Sequence, residues 1–193
     1  MEDTRSTLLV RLTNREDEDA WRTFDKLYRP MLVGYARTRG LSTHDAEDVA
    51  QQCVEAVLGN IDRYQHVGSF KAWLRTIAEN KIRDESRRRR EQQAPASVLS
   101  AQADSDPGPS EIWERHWFNE HLRYCVEQGR PDVSENTYQA LYQNVIEGRP
   151  AKAVAERLGI SVNQVYVSKF RVMERVRRML ADLTGSDFAR LLA

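Results

Sequence analysis

The chain has 193 residues, with 29 Lys and Arg against 29 Asp and Glu, for a formal net charge of zero. That length permits one medium domain or two small ones. No apolar run is long enough to span a bilayer and no basic-then-apolar leader is present, so membrane insertion is excluded as a reading and a cytoplasmic protein is expected.

The neutral total conceals segregated charge. From Lys71 to Arg90, the bases Lys71, Arg75, Lys81, Arg83 and Arg87 to Arg90 meet only Glu79, Asp84 and Glu85. From Arg149 to Arg178, eight bases meet only Glu156 and Glu174. Two basic blocks flanked by acidic chain point to two nucleic-acid-facing surfaces.

Strand signals are nearly absent, and helical periodicity predicts an all-α fold of two small helical domains on a tether. A first helix is expected from about Glu16 to Arg39, where Trp21, Phe24, Leu27, Tyr28, Met31, Leu32 and Tyr35 recur at helical spacing. Gly40 ends it. Ser42 or Thr43 opens the next, with Asp45, Glu47 and Asp48 suited to a helix N-terminus, and this helix runs to Gly59-Asn60. The loop Ile61 to Gly68 leads to Ser69, which caps a long helix ending in the arginine run. Glu91 to Ser110 is polar and carries only Val98 and Leu99 as sizeable apolar residues, so it reads as a flexible linker. Helical pattern resumes with Ile112, Trp113, Trp117, Leu122 and Val126, then after Ser134 with Tyr138, Leu141, Tyr142, Val145 and Ile146. The expected domains are residues 1–90 and 111–193, joined by a linker over 91–110.

The last helical pair carries the sharpest local signal. Pro150 suits a first helical position, Gly159 a left-handed turn, and Ser161 an N-cap, while Val154, Leu158, Ile160 and Val165 would pack the pair together. This is helix-turn-helix grammar, which places a helix in the DNA major groove. On its second helix Val165, Val172, Val176 and Met179 face the core. Asn163, Val167, Phe170, Arg171, Glu174 and Arg178 point outward, with Gln164 and Tyr166 at the margins. Asn and Gln can pair bidentately with adenine, Arg with guanine, and Val167 can meet a thymine methyl.

Two other faces carry charge. Val49, Cys53, Ala56 and Val57 form an inward stripe, opposite Glu47, Asp48, Gln51 and Glu55. Spacing alone fits either a solvated acidic face or a protein-docking face that repels DNA. On the following helix Phe70, Leu74, Ile77 and Ala78 face inward, and Trp73, Thr76, Asn80, Arg83, Asp84 and Arg87 share another side. Such a surface suits unstacked bases beside a phosphate backbone, although Trp73 could equally pack on a neighbouring helix.

Cys53 and Cys125 lie in helical patterns and predict buried free thiols. The spacing of His116, His121 and Cys125 is unlike a structural zinc site. No P-loop, dinucleotide fingerprint or nucleophile–base motif occurs, so neither enzymatic activity nor a cofactor is expected.

Together the motifs resemble bacterial RNA polymerase sigma factors of the extracytoplasmic-function class, within the sigma-70 family. Asp45-Ala46-Glu47-Asp48-Val49-Ala50-Gln51-Gln52 is similar to that family's acidic helix in region two. Phe70 to Asn80, ending in Arg87 to Arg90, is similar to the DNA-melting helix that follows. Val154 to Ser161 is similar to the region-four helix-turn-helix. The resemblance implies docking of Asp45, Glu47, Asp48, Gln51 and Glu55 on the clamp helices of the polymerase large subunit. It implies −10 recognition and melting by Arg63, Tyr64, Gln65, His66, Trp73, Thr76, Asn80, Arg83, Arg87 and Arg88. It further implies −35 reading by Ser161, Asn163, Gln164, Tyr166, Val167, Phe170, Arg171 and Arg178. Core RNA polymerase and promoter DNA are the implied partners, and an anti-sigma factor is one that such proteins often have. Lys169 stands where the family usually has an apolar residue, which puts the regular course of that helix in question. The rival reading is a two-domain transcriptional regulator with the same DNA reader, which leaves the Phe70 to Asn80 helix unexplained.

Overall fold

The computed structural model describes residues 4–64, 69–92 and 108–184. Among them the regular elements are all helical. They are α1 (Thr4–Leu12), α2 (Glu18–Thr38), α3 (Thr43–Asn60), α4 (Phe70–Gln92), α5 (Pro109–Gln128), α6 (Glu135–Leu141), α7 (Ala151–Leu158) and α8 (Val162–Thr184), with short 3₁₀ turns at Ile61–Arg63 and Arg130–Asp132. The chain forms two compact units, one of Leu8–Trp117 and one beginning at Phe118.

The first unit is held by caps and an aromatic core. Asp17 caps α2 by accepting from the Ala20 amide at 3.0 Å, and Arg11 clasps the same carboxylate at 2.8 Å. The arginine and the cap amide lower the Asp17 pKa to about 2. Helix α2 then buries Phe24, Leu27, Tyr28, Met31, Leu32 and Tyr35 along one stripe. Pro30 lies inside this helix without ending it; burial of Leu27, Met31 and Leu32 offsets a cost of about 3 kcal/mol. Gly40, at φ 90°, turns the chain into Ser42, the N-cap of α3. Ala46, Val49, Ala50, Cys53 and Val57 form the buried stripe of α3, the small alanines allowing α2 to come close. Ser69 caps α4, whose buried side is Leu74, Ala78 and Ile82.

The expected domain boundary differs from the observed one. The first residues of α5, expected to open the second domain, pack inside the first unit. Trp113 is fully buried, edge-on to Tyr35 with centroids 4.9 Å apart, and Trp117 lies 5.4 Å from Tyr28. Lys71 binds Glu114 at 2.7 Å, and Arg75 donates to the Ser110 hydroxyl at 2.8 Å. An apolar stripe in sequence shows that a helix face is buried; it does not say against what. The linker proper, residues 93–107, lies outside the described residues, and α4 and α5 extend into its expected ends.

In the second unit Leu122, Cys125, Val126, Tyr138, Leu141, Val172, Met173 and Val176 make one core. Ala140, Ala151, Val154, Ala155 and Val165 make another, with Leu158 and Ile160 packed against it. A π-helical segment, Tyr142–Ile146, continues α6. Pro150 occupies the cap before Ala151, one residue earlier than expected. Gly159 has φ 64° and ψ 34°, and the Ile160 amide reaches back to the Ala155 carbonyl at 3.1 Å, closing α7 with a left-handed turn.

Candidate nucleic-acid interface

The first charged face lies on α3. Glu47, Gln51 and Glu55 are exposed and Asp48 is half-exposed, as the helical spacing requires. Gln51 donates to Glu55 at 2.9 Å and accepts from Arg29 of α2 at 2.8 Å. Asp45 departs from the sequence expectation. Its carboxylate accepts from the Ser42 hydroxyl, and it makes a 2.6 Å ion pair with Arg89 near the end of α4, leaving its side chain 18% exposed. Ser42-x-x-Asp45 is a reciprocal N-terminal cap, and these partners hold the Asp45 carboxyl below its usual range. Asp45 therefore joins α3 to α4 instead of standing on the exposed acidic face of α3. Below that face Cys53 is fully buried, and desolvation pushes its thiol up to about 12.

The second face is on α4. Its buried side leaves Thr76, Asn80, Arg83 and Arg87 on the opposite, solvent side. Thr76 bonds back to the Ala72 carbonyl, and Arg83 donates to the Asn80 amide oxygen at 3.3 Å. Trp73 is half-buried at the edge of this face, 5.0 Å from the ring of Tyr64 at a 31° tilt and 5.6 Å from Phe70. Both readings of Trp73 thus have a basis: one side packs on neighbouring rings while the residue retains exposed surface. Arg63 is exposed beside Tyr64; Gln65 and His66 lie outside the described residues.

The arginine run is less free than its sequence suggests. Arg87 pairs with Asp84 at 3.5 Å, Arg88 with buried Glu85 at 2.9 Å, and Arg89 with Asp45. Exposed pairs of this kind are worth at most about 1 kcal/mol, so a phosphate can compete for Arg87 with little penalty.

The third face is on α8. Asn163, Tyr166, Val167, Phe170, Glu174 and Arg178 are exposed, Phe170 to 73%. The side chain of Arg171 lies outside the described residues, as does that of Met179. Val165, Val172 and Val176 are buried as expected; Met173 joins them although the sequence reading did not place it in the core. Lys169 is exposed, and α8 runs unbroken past it, so the expected irregularity does not appear in the helix.

Ser161 and Gln164 have a local function that qualifies their expected role. The Gln164 amide donates to the Ser161 hydroxyl at 3.2 Å, and the Gln164 side-chain oxygen accepts from the Ser161 backbone at 2.7 Å. This capping box fixes the start of α8 and leaves the Gln164 NH₂ as its group for outside contact. The Ser-x-x-Gln spacing was the available signal.

A family model described as Sigma-70 region 2 matches residues 24–92, the span that contains the α3 and α4 faces. The chain is 28% identical over 188 residues to the ECF RNA polymerase sigma factor ShbA of Streptomyces griseus, covering 93% of this chain and 98% of that protein. It is 27% identical over 173 residues to the RNA polymerase sigma factor CarQ of Myxococcus xanthus, covering 86% of this chain and 92% of that one. A solved structure of CnrH in complex with the cytosolic domain of CnrY aligns over 92% of this chain and 97% of that one, at 20% identity and a TM-score of 0.40, too loose a superposition to carry an argument. Residues 24–92 thus match Sigma-70 region 2, with that match in its expected place, and the chain is similar over most of its length to extracytoplasmic-function RNA polymerase sigma factors.

Proposed function

We propose that this protein is the promoter-specificity subunit of RNA polymerase: it binds the core enzyme, recognises −10 and −35 elements, and assists strand opening. The observation that carries this reading is the order of three exposed faces, on α3, α4 and α8, in a chain whose sigma-factor relatives match it nearly end to end. The acidic α3 face suits a basic protein surface and repels DNA. Glu47, Asp48, Gln51 and Glu55 form its docking set, with Asp45 supporting it from below. The α4 face then holds the opening −10 strand. Arg63, Tyr64, Gln65 and His66 border the extruded base, Trp73 stacks, Thr76 and Asn80 offer hydrogen bonds, and Arg83, Arg87 and Arg88 meet phosphates.

Extrusion of a base costs a few kcal/mol, which stacking and phosphate contacts must offset. On α8, Asn163 and the Gln164 NH₂ project from the early turns that reach base edges, with Ser161 at the cap beside the backbone, and Arg171 joins this base-reading set by its place in the sequence. Tyr166, Val167 and Phe170 supply apolar contact to thymine methyls, and Arg178 anchors a phosphate farther along.

Trp73→Ala is expected to slow open-complex formation by the equivalent of about 1–3 kcal/mol while leaving initial promoter binding nearly intact. Permanganate reactivity of −10 thymines on duplex and pre-melted templates reads both steps. Failure of the pre-melted template to restore the variant would show that Trp73 serves only as packing for Tyr64 and Phe70.

A further inference from the structure

The exposed polar groups of the acidic α3 face are tied to a second helix. Arg29 of α2 is held by Asp25, four residues earlier, at 2.7 Å. From that position its Nη2 donates to the Gln51 side-chain oxygen at 2.8 Å, and Gln51 in turn donates to Glu55 at 2.9 Å. The side chain of Arg29 is 31% exposed, so this cation is part of the surface layer and partly shielded from water. Glu47 lies within electrostatic reach of the same guanidinium.

The chain of bonds fixes orientations that would otherwise be free. An unsupported glutamine on a helix surface samples several rotamers, and its amide can present either oxygen or nitrogen. With Arg29 occupying the oxygen, the NH₂ must turn to Glu55, which holds that carboxylate in one position. A planar guanidinium can serve Asp25 and Gln51 together; a lysine ammonium, a single point of charge on a flexible stem, cannot reproduce the fork.

We infer that Arg29 is a positioning residue of the polymerase-docking face: through Gln51 it presents Glu55 to a basic segment of the large subunit, so the face extends from α3 onto α2. This rests on the docking reading proposed above. It makes a prediction whose sign is opposite to simple charge attraction. Removing a cation from an acidic face should tighten binding to a basic partner if charge alone matters, and should weaken it if the cation sets geometry.

The experiment titrates core polymerase against fluorescently labelled full-length protein at two salt concentrations. Arg29→Ala and Arg29→Lys should each lose affinity about three- to tenfold, the range for losing a hydrogen-bonded arrangement. The Arg29→Ala/Gln51→Ala double variant should be no weaker than Gln51→Ala alone, because the two act in series. Arg22→Ala removes the same charge elsewhere on α2, where Arg22 pairs only with Glu18 and Asp19 in solvent, and should change affinity by less than about twofold. Thermal melting checks the fold. Should the alanine variant melt early, Arg29→Lys, which keeps the charge beside Asp25, remains diagnostic. Unchanged or tighter binding by folded Arg29 variants, with Glu47→Lys/Asp48→Lys still defective, overturns the positioning role and spares the docking reading. If the Glu47→Lys/Asp48→Lys protein also binds normally, both fall.

Discussion

Trp113→Ala is expected to destabilise the first unit by about 3–5 kcal/mol, the usual cost of truncating a fully buried large aromatic. The side chain has no exposed surface and packs edge-on against Tyr35. Its loss leaves a cavity beside α2 and weakens the seat of Trp117, whose ring lies 6.0 Å away. Trp113→Phe should cost much less, because the indole N–H makes no hydrogen bond and most of the ring contact survives. Two units need not unfold together, so one melting temperature is not the right measurement. Native-state hydrogen exchange separates them: amides of α2 and α4 should lose protection, while those of α6 to α8 should not. Loss of protection confined to α6–α8 would return this part of α5 to the second domain.

Glu47→Lys/Asp48→Lys is expected to abolish most core-polymerase binding. Glu47 is exposed and Asp48 half-exposed, so the substitutions need not disturb the buried stripe of Val49, Cys53 and Val57. Reversal replaces attraction to a basic surface by repulsion. Pairs buried on binding cost about 2–5 kcal/mol when broken, whereas rim charges act chiefly on the association rate and its salt dependence. Surface-binding kinetics at low and high salt distinguish these cases. Full affinity of a folded double variant at both salt concentrations would remove α3 from the docking surface.

The parts of the fold that were legible in sequence are those encoded by local chemistry. Ser42, Ser69, Ser134 and Ser161 each cap the helix that follows, Gly40 and Gly159 take the positive φ their turns require, and the α2 stripe is buried as its spacing predicts. Helix α1 was not anticipated, having only a short apolar pattern, although Leu12 is fully buried. The packing of Trp113 and Trp117 was not legible because helical periodicity reports a face and not its partner. At the candidate site, which sides of α3, α4 and α8 face solvent was legible. Which charges are already engaged was not: Asp45 and Arg89 are 44 positions apart in sequence and meet only because α3 packs on α4. Gln51 was readable as outward, but its link to Arg29 depends on the α2–α3 contact. Local caps were the exception, since Ser42-x-x-Asp45 and Ser161-x-x-Gln164 carry a spacing that announces intrahelical use.

The measurement that bears most directly on the proposed function is transcription by core polymerase, with and without the full-length protein, from duplex templates randomised in two blocks upstream of a fixed reporter. Initiation should require both components, and the transcribed templates should be enriched in one −35 and one −10 sequence at a fixed separation. Specific duplex binding by the protein alone, with no initiation when core polymerase is added, would contradict the sigma-factor account and favour an independent helix-turn-helix regulator.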